Sequence, residues 1–343
     1  MLIGLEEHYV DAAVSRGASS RFAVEGGFLA NIVSEPPRRL TRPQIESTER
    51  ANDLVYDTGE GRIAAMDAEG IDVQILSLSN SAATQYIGGD EIVAITRQAN
   101  DDLATSVAEH PDRFRAFAGL PWTDVDETVA ELHRTVEEHG FVGAMICGTV
   151  GGQFLDQPQF ESVLAAFARV KKPLFLHPNV PNPAVRAAYF ENLRNNEVSA
   201  LLASYAWGWH NEAAIHLIRI MLSGALDRHA DLRLITGHWG ETVPYSLQRL
   251  DDALPPSVTG LDRTLTQTFR DQIYVSPSGQ LGDEYRPHFN FVRELIGIDR
   301  MLYSSDYPYL NLTGTKDYFA SLGLSQEDRD KFTHINAQRL LGI

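Results

Sequence analysis

The sequence predicts an α/β fold, a (β/α)8 TIM barrel with insertions after its first and fifth strands, on three observations. Eight apolar runs rich in Val, Ile, Leu and Phe recur along the 343-residue chain. Segments of helical periodicity separate most of them. The first run ends in Glu6-Glu7-His8, where an open doubly wound sheet would need a glycine-rich phosphate turn. Near-continuous apolar runs suit parallel strands covered by helices on both faces.

In chain order the expected strands are Leu2 to His8, Val73 to Ser79, Phe114 to Pro121, Gly143 to Gly148, Pro173 to Pro178, Leu232 to Gly240, Gln272 to Gly279 and Met301 to Pro308. Helical patterns run from Glu91 to His110, Asp126 to His139, Pro158 to Val170, Asn211 to Asp227, Pro244 to Leu254 and Glu284 to Ile296, and a final pair ends in Leu341. Two long irregular stretches break the alternation. One covers 11–45, with Pro36, Pro37, Arg39 and Pro43, and the other covers 179–206. Both follow strand C-termini, where barrels build active sites, so pocket wall and plain surface excursion are both open readings. At 38.0 kDa, one barrel domain over 1–343 is expected.

Apolar residues at 43% and charged residues at 22% are ordinary for a globular chain. No apolar run approaches the roughly 18 residues of a membrane helix. The N-terminus enters a strand without a basic or cleavable leader, so a mature cytoplasmic protein is expected. A single cysteine, Cys147, leaves no intramolecular disulfide and no multi-cysteine metal site. Twenty-nine Lys and Arg against 46 Asp and Glu give a formal charge of -17, which argues against nucleic acid or an anionic membrane as partner. An anionic small substrate would then need a metal or a specific arginine.

The chemistry collects at the strand ends. Side chains alternate along a strand, so Glu6 and His8 share a face and Glu7 takes the other. His177 ends the fifth expected strand, His238 the sixth, and Asp306 the eighth. In a barrel these ends meet at one mouth. Two carboxylates and three imidazoles there make a mononuclear divalent-metal site with an open position. Most of the other histidines fall on predicted helices or loops. His210 and His216 lie nearer the mouth, with His216 inside an apolar helix as a structural residue.

Glu6-x-His8, Leu176-His177-Pro178, Gly237-His238-Trp239-Gly240-Glu241 and Ser305-Asp306-Tyr307-Pro308-Tyr309 resemble the motif set of the metal-dependent amidohydrolase superfamily, in its aminocarboxymuconate-semialdehyde decarboxylase-like branch. Within that branch the resemblance is to the γ-resorcylate (2,6-dihydroxybenzoate) decarboxylases. It extends to Arg62 through Asp72, Pro111 to Phe114, and Asn336 to Leu341. The resemblance implies that Glu6, His8, His177 and Asp306 ligate one divalent metal per subunit. His238 would be the acid-base residue, with Glu241 fixing its tautomer. Trp207, Trp209 and Tyr309 match aromatic positions flanking the substrate ring, though two tryptophans on a loop also fit a partly core role. Arg249 matches an arginine that reaches a neighbouring subunit's site, implying a homodimer or homotetramer; a surface salt-bridge role is the plainer alternative.

Carboxylate and imidazole donors suit Mn²⁺ or Zn²⁺, with Mg²⁺ a third candidate, and two carboxylates favour Mn²⁺. No organic cofactor is expected. The activity implied is non-oxidative decarboxylation of a salicylate-like aromatic acid, with Asp306 protonating the ring carbon and His238 assisting. The alternative is a hydrolase or hydratase acting on a lactone, amide or ring-cleavage product through metal-activated water. Glu-x-His favours the decarboxylase, since the superfamily's hydrolases usually carry His-x-His. A metal-binding scaffold without catalysis is the third reading. Cys147 stands where relatives carry Asn and Leu310 where they carry Glu, which implies a different, bulkier or more apolar acid. As a nucleophile Cys147 lacks a His-Asn partner.

Overall fold

The structure, a computed structural model, describes residues 1–17, 28, 29, 31–34, 54–79 and 82–343. Its strands are β1 (Ile3–Tyr9), β2 (Val73–Leu78), β3 (Phe114–Ala116), β4 (Ala144–Cys147), β5 (Leu174–His177), β6 (Leu234–Thr236) and β7 (Ile273–Val275). They form two parallel sheets, ordered β1-β2-β3 and β4-β5-β6-β7. Single parallel bridges join the sheets at both seams. Ala118, just past β3, pairs with Ala144, while Met301 pairs with Val275 and Tyr303 with Gly4. The ring expected of a barrel thus runs through these bridges.

The expected eighth strand, Met301 to Pro308, is corrected to isolated bridges at Met301, Tyr303 and Tyr307. The reason lies at the mouth. Asp306 turns left-handed (φ 58°), and the Ser305 N–H is spent on Glu7 Oε1 at 3.0 Å, so a regular ladder cannot continue. The third, sixth and seventh strands are likewise shorter than their apolar runs.

The helices form where the periodicity places them, including Asp90–Glu109, Val125–Glu138, Glu161–Val170, Gly208–Leu222, Val243–Ala253 and Arg286–Ile296. Val125–Glu138 starts at Asp124, whose side chain accepts from the Glu127 N–H. Arg286–Ile296 buries Phe289, Val292 and Ile296, one stripe of its surface. Among the described residues no helix is long and apolar enough to cross a membrane.

The second expected insertion is not irregular. It carries helices Pro183–Tyr189 and Asn196–Ala203, capped by the side chains of Asn182 and Asn195. Of the first, Ala12–Gly17 is helical, whereas 18–27, 30 and 35–45, with Pro36, Pro37, Arg39 and Pro43, lie outside the described residues. The two insertions touch. The Arg186 guanidinium lies 4.4 Å from the Phe28 ring centroid, and the N–H groups of Val33 and Ser34 donate to Glu197 Oε1.

Strand alternation sorts the core into two layers. Val73, Ile75, Met145, Cys147, Phe175, Ile235, Tyr274 and Leu302 fill the interior with Ile3 and Leu5. Leu76, Ile146, Leu174, Leu176, Leu234 and Val275 face the helices. β1 changes phase partway along. Its register against β2 shifts between Gly4 and Glu7, a bulge that inserts one residue. Ile3 and Leu5 point inward below it, and Glu6 and His8 point inward above it. The same strand therefore contributes to the apolar interior and to the polar mouth.

Candidate metal centre

Glu6, His8, His177 and Asp306 each offer one ligand atom, and these atoms lie within 4.8 Å of one another. His8 Nε2 is 3.1 Å from Asp306 Oδ1, and His177 Nε2 is 3.5 Å from Glu6 Oε1. Each donor is aimed from behind. Ser278 Oγ and Ser304 Oγ donate to Glu6 Oε2, the latter at 3.1 Å. His8 Nδ1 meets Ser77 Oγ at 3.2 Å, and His177 Nδ1 meets the Pro178 carbonyl at 2.7 Å. With the Nδ1 positions engaged, both Nε2 atoms face the centre. Gly237 makes room: a Cβ there would collide with Ser278 Oγ and lie 3.2 Å from both Glu6 carboxylate oxygens.

The donor set fits a divalent cation. Glu6 Oε1 and His8 Nε2 are buried without a hydrogen-bond partner among the described residues, at a site where orphaned polar atoms are costly. Burial, and then the Asp306 charge, push the Glu6 carboxyl well above its usual range. Burial pushes Asp306 up to about 7, against the pull of His238 and His210. Burial also lowers His8 to about 3, helped by Arg62 and His238, and lowers His177 well below its ordinary value. Neutral imidazoles keep the lone pairs that a metal needs, and carboxyls that resist ionisation alone are stabilised as anions by a cation.

Glu7, on the opposite face of β1, is a buried structural brace. Its carboxylate accepts from the Ser305 N–H, Ser305 Oγ and Gln74 Nε2. Arg62 lies beneath it and donates to the His8 carbonyl at 2.6 Å. Burial raises Glu7 to about 7 despite the Ser305 bonds and the Arg62 charge.

His238 stands beside the donors, its ring centroid 6.3 Å from that of His177. Its Nδ1 lies 2.6 Å from Glu241 Oε1. A run of left-handed residues makes that contact: His238 (φ 47°), Trp239 (60°), Gly240 (87°), Glu241 (52°) and Thr242 (64°). Each non-glycine there costs roughly 1–2 kcal/mol. The turn is held by the His238 N–H on Ser278 Oγ, the Trp239 N–H on the Ser276 carbonyl, and the Trp239 indole N–H on the Gln280 carbonyl. Backbone strain of this kind is retained where the surrounding packing over-determines it.

The remaining sequence-predicted residues divide. The Tyr309 ring centroid is 5.5 Å from that of His8, and its hydroxyl meets Ser79 Oγ at 2.9 Å. Cys147 is buried at the end of β4 as the ladder partner of His177, so it points inward beside that ligand candidate. Trp209 is half-buried and packs edge-on against Tyr205. Trp207 is 47% exposed, and Arg249 is exposed on Val243–Ala253; neither joins the donor cluster. His216 accepts the Leu155 N–H on Nε2, a structural role as expected.

Sequence reasoning missed Ser77, Ser278 and Ser304. Their signal was available, small hydroxyl residues at strand ends, but hydroxyls there are too common to single out. His210 was placed only near the mouth; its Nδ1 lies 2.7 Å from Glu241 Oε2.

The chain is similar to known proteins over most of its length. A family model described as Amidohydrolase matches residues 42–343. The γ-resorcylate decarboxylase of Rhizobium sp. (strain MTP-10005) is 34% identical over 300 residues, covering 84% of this chain and 88% of that protein. A crystal structure of 2,6-dihydroxybenzoate decarboxylase complexed with 2,6-dihydroxybenzoate superposes with a TM-score of 0.80 at 30% identity, covering 100% of this chain and 99% of the other. The dihydroxybenzoic acid decarboxylase of Polaromonas sp. JS666, with bound manganese and the inhibitor 2-nitroresorcinol, gives 0.81 at 29% identity over 99% and 96% of the two chains. By its motifs, its barrel and these matches, the chain belongs to the amidohydrolase family.

Proposed function

We propose that the chain is one barrel unit that catalyses metal-dependent, non-oxidative decarboxylation of a hydroxybenzoate. The observation that carries this reading is the converging Glu6, His8, His177 and Asp306 set with the His238–Glu241 pair beside it. Relatives that decarboxylate dihydroxybenzoates, one of them with bound manganese, support it. Glu6, His8, His177 and Asp306 would hold the ion, Mn²⁺ ahead of Zn²⁺. When bound, the ion supplies positive charge that draws in an anionic acid, which a chain of net charge -17 would otherwise repel.

The chain's own residues do the rest. Tyr309, braced through Ser79, flanks the ring, and Trp209 and the more exposed Trp207 extend that wall. Cys147 offers a small apolar surface to a ring substituent. Burial pushes the Asp306 carboxyl up to about 7, and a bound cation would oppose that rise. In the proposed step Asp306 supplies one proton. The proton adds to the ring carbon bearing the carboxylate. The bond from that carbon to the carboxylate then breaks, carbon dioxide leaves, and the electron pair restores the aromatic ring. His238, held through Nδ1 by Glu241, presents Nε2 to assist the transfer. Arg249, exposed on its helix, is available to a second copy's site in a homodimer or homotetramer.

The test is metal analysis of the purified protein, joined to a screen of hydroxybenzoic acids for carbon dioxide release. About one Mn²⁺ per chain with release from an ortho-hydroxybenzoate is expected. Turnover of lactones or amides with no decarboxylation overturns the reading.

A further inference from the structure

One half-buried imidazole outside the donor set has both ring nitrogens aimed at acceptors. His210, near the start of Gly208–Leu222, places Nδ1 2.7 Å from Glu241 Oε2 and Nε2 2.9 Å from the Tyr205 carbonyl oxygen. A neutral imidazole carries a single N–H and can satisfy only one of these acceptors, whereas an imidazolium satisfies both. The second Glu241 oxygen is already taken by His238 Nδ1 at 2.6 Å. Glu241 is 0% exposed, so neither of its ring partners can be exchanged for water. We propose that His210 is a resident imidazolium whose ion pair with Glu241 positions that carboxylate for His238. This role rests on the proposed reading of His238 as the acid-base group.

The surroundings agree. Burial alone would push Glu241 up, but the charges of His238 and His210 and the hydrogen bonds from both rings hold it at about 2. It therefore accepts from both rings and does not supply a proton to either. For His210, burial opposes the charged form. The charge and hydrogen bond of Glu241, the Tyr205 carbonyl and the more distant Asp306 overcome it and raise the imidazole above its ordinary value. The remaining titratable neighbour is His238, whose ring centroid is 4.4 Å away; Glu241 lies between the facing Nδ1 atoms of the two rings. With one carboxylate oxygen anchored on His210, Glu241 cannot rotate away from His238. Its partner is thereby kept in the tautomer with Nδ1–H and a free Nε2.

Two measurements test this, the first in protein loaded with diamagnetic Zn²⁺ and the second in protein loaded with Mn²⁺. In ¹⁵N-histidine-labelled protein near neutral pH, the His210 ring, assigned by its loss in H210Q or H210N, is expected to show both nitrogens protonated. A single protonated nitrogen overturns the charge assignment, whatever reaction the enzyme runs. In turnover, H210Q is expected to lower kcat by about 10–100-fold with KM and metal content held. The same substitution in an E241Q background is expected to add no further loss, because the effect passes through Glu241. An unchanged kcat in H210Q, or an equal loss in both backgrounds, overturns the positioning role. Should no hydroxybenzoate be turned over at all, the ring measurement still decides the charge of His210, so the two failures are distinguishable.

Discussion

The lower barrel and its mouth are built from the same strands and the same inward-facing positions, yet they handle burial in opposite ways. Below, Ile3, Leu5, Ile75, Phe175, Ile235 and Leu302 interlock as an apolar plug. Above, Glu6 and His8 are withdrawn from water with a ligand atom left over on each, and His177 and Asp306 close round them half-buried. Apolar burial gains stability in proportion to area, whereas unpaired polar burial costs it. The plug therefore stabilises the fold, and the mouth gives up part of that stability to hold a candidate cation site open. The bulge in β1 lets one strand serve both regions.

The sharpest way to break this comparison is Asp306→Asn, which removes the proposed proton donor and keeps the shape of the mouth. A fall in turnover of about 10²–10⁴-fold is expected, with metal retained and melting temperature nearly unchanged. Loss of the metal in that variant would make Asp306 chiefly a ligand. The converse substitution lies in the plug. Phe175→Ala is expected to cost about 3–5 kcal/mol in denaturant unfolding while metal content per folded chain stays constant. If instead it empties the site without destabilising the fold, the two regions are not separable.

A third substitution reads the polar packing beside the mouth through pH. The Glu241 carboxyl falls from an ordinary 4.5 to about 2 on folding. Its stabilisation is therefore complete above the unfolded value and is lost as pH falls from 4.5 towards 2. The stability advantage of the wild type over Glu241→Gln should shrink by on the order of 3 kcal/mol over that window. Unfolding midpoints that keep a constant gap on acidification contradict it. The smallest effect is expected at Ser278→Ala, which leaves Glu6 Oε2 with Ser304 alone. Metal affinity by competition with a chelator should weaken by about 10–100-fold. An unchanged affinity would reassign Ser278 to the left-handed turn, where it also accepts the His238 N–H.

Much of this was legible in the residue order. Runs such as Leu174–His177 read as buried parallel strands because both of their faces are covered, and helices with a clear stripe, such as Arg286–Ile296, read as helices. The donors were legible as well, since His and carboxylate residues at the ends of apolar runs are few. The bulge in β1 was not. Ile3-Gly4-Leu5-Glu6 carries no mark of an extra residue, because a bulge is defined by the partner strand. The eighth strand read as regular, since its apolar content is that of a strand; its ladder fails on the contacts and backbone of Ser305 and Asp306. The five left-handed residues from His238 to Thr242 also have no local signature, because only Gly240 favours that conformation by itself.

By itself the sequence determined the order of the strands, the kinds of donor each brings to its end, and the acidic balance of the chain. These follow from local periodicity and composition, which act over a few residues. Tertiary structure alone decided which donors meet, which hydroxyls brace them, and which groups are charged. Ser278 reaches Glu6 across a sequence separation of 272 residues, and Glu241 finds its second imidazole in a different helix. Such contacts depend on how the ring of strands comes together. The protonation of His8, Asp306 and His210 depends on the burial and neighbouring charge that this arrangement creates.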